Sequence, residues 1–118
     1  MGSNVYFSYN VASSNSLSGL NQLITLFNPL VVFLQELTLT TEQLLAIVGN
    51  SFEGVSNVNE NEPNKPGNAT IWRKGLDVVV TNVVISKLQL IQSQSHGNFI
   101  NVYAPTGTQG EQARRILF

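Results

Sequence analysis

The stretch Leu30-Val31-Val32-Phe33-Leu34-Gln35-Glu36 decides how this chain folds. Five apolar residues follow one another with no polar residue between them. That pattern predicts a strand buried on both faces, not a half-solvated one. The run is far too short to cross a membrane. Gln35-Glu36 then turns polar, so the strand should end there.

Outward from this strand the elements alternate. Upstream, residues 4–12 are rich in aromatic and β-branched types and read as a strand. Residues 13–18 read as a polar turn. Leu20, Leu23, Ile24 and Phe27 then share one face of a helix over 19–27, which Pro29 ends. Downstream, Thr40 and Gln43 form a capping-box pair, Leu44, Leu45 and Val48 form an apolar stripe, and Gly49 is a natural stop. Residues 57–67, NVNENEPNKPG, read as a solvated loop. After it the strands run consecutively: 68–73, the Val-rich 77–85, 88–91 and 99–104, with Phe99, Asn101 and Tyr103 on one face of the last. Thr108 and Glu111 suggest a second capping box, opening a helix to Phe118. The order predicts an α/β (α+β) fold in one domain, a mixed sheet with helices on one face.

Composition narrows the function. Of 118 residues only 11% are charged, against about 25% in an ordinary domain. Neutral polar groups stand in for them, with 14 Asn, 11 Ser, 8 Gln and 8 Thr. The net charge of −1 excludes a strongly basic nucleic-acid clamp. The absence of cysteine excludes disulfide scaffolds and Cys-ligated zinc. Neither a secretory signal nor a membrane span is legible, so an intracellular site, nuclear or cytoplasmic, is expected. Asp77 and His96 are the sole residues of their types.

Three polar residues stand near strand ends: Asn10, Glu36 and Tyr103. In open α/β sheets, ligand groups gather at the carboxyl ends of strands. A carboxylate closing an apolar run is costly to bury unless it meets a cation or donors, which makes Glu36 the best candidate ligand for a hard metal such as Mg²⁺. The Tyr103 phenol is able to donate to a phosphate oxygen, and Asn10 to orient a metal-bound group. Each has a plainer reading: an exposed glutamate, a core-edge aromatic, and an amide satisfying nearby backbone. On local pattern alone the plainer reading is favoured for all three. His96, in Ser95-His96-Gly97, reads as a solvated turn residue, and Asp77 as structural. Residues 105–110 lack the Gly-Lys-Ser/Thr ending of a phosphate loop, no nucleophile elbow surrounds any serine, and Arg114-Arg115 reads as a solvated helix face.

Taken in order, Ser8-Tyr9-Asn10-Val11, Leu34-Gln35-Glu36 and Asn101-Val102-Tyr103-Ala104-Pro105 resemble the endonuclease/exonuclease/phosphatase family. More narrowly, with Arg114-Arg115-Ile116-Leu117-Phe118, they resemble the apurinic-type endonuclease domain of non-LTR retrotransposons. The resemblance implies an α/β sandwich and a Mg²⁺-dependent phosphodiesterase acting on DNA. It implies Glu36 as a metal ligand, Asn10 in the metal and phosphate network, Tyr103 as a donor to the phosphate, and Thr106 as a phosphate-side hydroxyl where many relatives carry Asn. The sequence departs from the family after Asn10, where Ala12 replaces a second polar residue and Ser14 a leucine. The later Gly-Asp-x-Asn and Ser-Asp-His motifs are absent.

The expectation is therefore the first half of such a domain, inactive alone. Half a sandwich should leave a sheet face, lined by Val32, Leu34, Val80 and Val102, without its partner. A second half-domain, self-association or instability would follow. Two rival expectations are a split enzyme completed by a second half, and a non-enzymatic interaction domain that reuses the fold.

Overall fold

The computed structural model describes residues 4–12, 15–59, 61–62, 65–83 and 88–103. Its elements run β1 (Tyr6–Asn10), α1 (Asn15–Phe27), β2 (Val31–Leu37), α2 (Thr41–Val48), β3 (Phe52–Ser56), β4 (Gly67–Arg73), β5 (Val79–Val83), β6 (Leu88–Ser93) and β7 (Gly97–Val102). The expected helix over 108–118 falls outside the described residues.

The apolar run becomes β2, which does not end at Gln35-Glu36 but runs on to Leu37, because pairing with β4 resumes there; it is the second strand of a four-stranded sheet ordered β1-β2-β4-β3. β1 joins it in parallel, while β4 pairs antiparallel with both β2 and β3. The sheet is therefore mixed, as expected. Alternate residues of β2 face opposite layers. Val32 and Leu34, with Ala69 and Ile71 of β4, face Leu20 and Ile24 of α1 and Leu44 of α2 in one apolar cluster. Both helices thus cover the same face. Phe33 points the other way and meets Phe99 of β7 with ring centroids 5.2 Å apart.

That opposite face is covered by a second, three-stranded antiparallel sheet ordered β5-β6-β7. This corrects the expectation of an unpartnered inner face. Val32 and Leu34 are fully buried under the helices. Val80 lies in register with Ile91, which is buried, whereas Val102 sits with Leu88 on the outward side. Exposed apolar side chains lie on the outside of the second sheet, at Val79, Val83 and Ile100, and at the end of α1, at Leu26 and Phe27.

Local chemistry sets the element ends. Thr40 caps α2, its hydroxyl accepting from the Gln43 amide at 3.3 Å while Gln43 Oε1 accepts from the Thr40 amide at 3.0 Å. Gly49 closes the same helix at φ 93°, donating to the Leu45 carbonyl at 3.0 Å. α1 starts at Asn15, earlier than the polar turn suggested, and stops at Asn28, which adopts φ 46° ahead of Pro29. Phe27 was expected on the buried stripe but is exposed, because the helix meets the sheet only as far as Ile24. β3 was not foreseen. Gly54 interrupts its β pattern, and the reason is contact: a Cβ there would lie 2.8 Å from Ile71 Cγ2 and 3.2 Å from the Thr70 carbonyl oxygen.

Candidate functional site

Glu36 is the extra residue of a β-bulge. Gln35 pairs with Asn68 and Leu37 pairs with Gly67, so Glu36 has no partner across the ladder. Its backbone sits at φ 54°, a left-handed conformation that costs about 1–3 kcal/mol for a residue with a side chain. A bulge re-aims the side chain it carries. Here it lets a half-buried carboxylate stand near the end of a strand between Leu34 and Leu37, both in the core.

Asn10 is the last residue of β1 and stands opposite Gln35 in register. Its Oδ1 accepts the Ala12 amide at 3.0 Å, a turn that stops the strand. The next residue ties the two strand ends together, Val11 N–H donating to the Gln35 carbonyl at 2.8 Å. Tyr103 follows β7 and is buried. Burial pushes its phenol above the ordinary tyrosine range, and the nearby Glu36 charge pushes the same way. The structure therefore brings Asn10, Glu36 and Tyr103 to the same end of the two packed sheets. Thr106 lies outside the described residues.

The oxygens at this end, a carboxylate and an amide, suit a hard cation in type. They are few in number. Among the described residues no group of three His, Cys, Asp or Glu side chains could hold a metal. One carboxylate and one amide oxygen are fewer protein donors than a closed cage would supply.

Beside this end lies a groove of about 530 Å³, lined by Ser8, Phe33, Gln35, Leu88, Ile100 and Val102, with Asn101 at its floor. It contains none of the three candidate residues. It exposes the side chain of Gln35, which immediately precedes Glu36.

No protein-family model matches the sequence, and no curated protein matches it significantly. Solved structures do match. An AP endonuclease from Leishmania major aligns with TM-score 0.62 and 19% identity, over 84% of this chain and 40% of that one. A humanized TDP2 of D. rerio aligns with TM-score 0.65 and 18% identity, over 93% of this chain and 52% of that one. A truncated TDP2 of Caenorhabditis elegans gives 0.65 and 17%, over 93% and 49%. This is an endonuclease/exonuclease/phosphatase-like fold. The chain spans about half the length of the structures it matches.

Within this fold, the one His and the one Asp lie away from Glu36. His96 is not simply solvated. It is half-buried at the turn between β6 and β7, its Nδ1 2.8 Å from the Tyr6 hydroxyl at the far end of β1 from Asn10. Asp77 accepts from Ser93 Oγ and from the Ser95 amide, each at 3.0 Å, and braces the same turn. Those bonds, the Ser95 backbone first, hold its carboxyl below the usual carboxylate range. Two of the described cations are equally engaged elsewhere. Arg73 lies 4.3 Å over the Phe52 ring and donates to the Pro29 carbonyl, and Lys65 pairs with Glu62. No helix among the described residues is long and apolar enough to cross a membrane.

Sequence reasoning missed a seam of neutral amides between the sheets. Asn68, Thr70, Gln89 and Asn101 are all buried. Thr70 Oγ1 donates to Gln89 Oε1 at 2.9 Å, and Gln89 Nε2 reaches the Val55 carbonyl and Asn82 Oδ1, both at 2.9 Å. Among the described residues no buried side-chain polar atom lacks a partner. The signal was present as polar residues on the alternate positions that face inward, Gln89 with Ile91 and Asn101 with Phe99.

Proposed function

We propose that this chain is the first half of a metal-dependent DNA endonuclease domain of retrotransposon origin. It would hold the metal and phosphate groups of the site but not those that activate water. The observation that carries this reading is the bulge at Glu36, which holds a strained backbone to place a carboxylate one residue before the end of β2, beside Asn10 and Tyr103. Strained backbone gathers at functional sites.

In this reading the Glu36 carboxylate holds Mg²⁺, and the Asn10 amide oxygen orients its water or phosphate ligands. When bound, the metal neutralises charge on the attacked phosphate. Tyr103 serves as the phosphate donor because its phenol stays protonated: burial and the Glu36 charge both oppose ionisation. Thr106 would add a hydroxyl on the phosphate side. In this reading the groups that remove a proton from water come from elsewhere, since among the described residues Asp77 is engaged by Ser93 and Ser95 and the His96 ring by Tyr6, away from Glu36. A second half-domain with its own Asp and His would complete the reaction.

The purified chain, incubated with Mg²⁺ and supercoiled or abasic plasmid, should give no nicking above background. Nicking that Glu36→Ala removes would overturn the inactive reading. A second reading, a non-enzymatic interaction domain, is favoured by one observation: the outer face of the second sheet exposes Val79, Val83 and Ile100. A monodisperse monomer on size exclusion, with no binding of a hydrophobic dye, would count against it.

A further inference from the structure

Two side-chain amides meet across the gap between the sheets just before the candidate site. Gln35 Nε2 donates to Asn101 Oδ1 at 3.0 Å. We propose that Gln35 and Asn101 are positioning residues, clamping β2 to β7 one residue before Glu36 and two before Tyr103 and so fixing the metal-side carboxylate against the phosphate-side phenol. The proposal rests on the reading of Glu36 and Tyr103 as one site.

Three features make this pair a clamp and not an incidental contact. First, both amides have further partners within reach. Gln35 Nε2 also reaches Ser8 Oγ at 2.8 Å and the Phe33 carbonyl at 3.1 Å, and Gln35 Oε1 accepts from Ser8 Oγ at 3.1 Å. Asn101 Nδ2 reaches the Leu34 carbonyl at 3.2 Å, the Ala69 carbonyl at 2.9 Å and Gln89 Oε1 at 3.3 Å. One buried amide thereby touches β2, β4 and β6 at once. Second, the contact is directional. Apolar layers tolerate small slides, whereas a hydrogen bond weakens steeply as its angle falls. Third, the clamp sits at the last pair of β2 before the bulge. The β2–β4 ladder skips Glu36 and resumes at Leu37 opposite Gly67, so its hydrogen bonds do not hold Glu36 directly. The pair next to Glu36 on its N-terminal side is the one that Asn101 of β7 ties down.

The test reads the coupling between Glu36 and Tyr103, not catalysis. The chain is labelled with ¹³C-tyrosine and the Tyr103 phenol is titrated by NMR. Glu36→Gln should lower the Tyr103 midpoint, because it removes a negative charge beside the phenol. In a Gln35→Met background, where length is kept and the amide is lost, the same substitution should shift the midpoint by less than half as much. Equal shifts in the two backgrounds would overturn the proposal. Gln35→Ala is measured alongside. If neither variant keeps dispersed amide signals, the pair is a folding element of the core and the positioning role falls. The titration needs no metal and no DNA. A chain that binds no Mg²⁺ yet shows the coupling would sink the functional reading while leaving the clamp standing.

Discussion

The side-chain amide of Asn68 donates to the backbone carbonyl of Asn101 at 2.7 Å, from the middle sheet layer to the strand that leads into Tyr103. Both residues are almost wholly inaccessible to solvent. A buried acceptor that loses its donor costs about 1–3 kcal/mol. Asn68→Leu should therefore lower the unfolding free energy by about that amount in urea titration. Asn98→Leu, at an exposed position of β7, should change it by less than about 0.5 kcal/mol.

Gly54 makes a second, steric prediction. An added methyl would press on Ile71 Cγ2 and on the Thr70 carbonyl in the centre of the first sheet. Overpacking of this kind costs about 1–3 kcal/mol. Gly54→Ala should lower the urea midpoint without changing the slope, since the unfolded state is little altered.

The fold was legible where one face decides the pattern. Leu30 to Leu34 pointed to a strand packed on both faces, and Thr40 with Gln43 to a capped helix, because burial and capping act on neighbouring residues. The sandwich was legible only through the family resemblance. What stayed hidden depends on partners far along the chain. Asn101 looks like an ordinary inward-facing strand polar residue until Leu34 and Ala69 are placed beside it, 67 and 32 residues away. The exposed face was misassigned for the same reason: Val32 and Val102 are both apolar strand residues, and only the layer order separates inside from outside. At the site, strand-end polarity pointed to Asn10, Glu36 and Tyr103. The bulge that aims Glu36 depends on how β4 ends at Gly67, and no local pattern around Glu36 reveals it.

Glu36 should trade stability for its site. The residue holds a left-handed backbone that glycine adopts without steric cost. Glu36→Gly should leave the unfolding free energy unchanged or raise it by up to about 1 kcal/mol, even though glycine loses more entropy on folding. The same variant should lose Mg²⁺ binding in calorimetric titration. A large loss of stability would mean that Glu36 is a structural residue of the bulge.

Asp77 makes the turn between β6 and β7 acid-sensitive. Its folded carboxyl titrates below the ordinary value, chiefly because it accepts the Ser95 amide. A lowered folded pKa means stability that is fully present above the unfolded pKa and lost as pH falls through the folded one. The Ser95 amide should therefore exchange faster, and shift, only below the usual carboxylate range. Asp77→Asn should flatten that dependence while leaving the signals of β1 to β4 in place.

The most direct measurement of the central claim is paramagnetic broadening by Mn²⁺, used in place of Mg²⁺, across the amide spectrum of the ¹⁵N-labelled chain. The account predicts that signals of Asn10, Val11, Gln35, Leu37 and Tyr103 fade first, and that Glu36→Gln restores them. Broadening centred on Asp77 and the β6–β7 turn, or fading around Glu36 that survives Glu36→Gln, would contradict it.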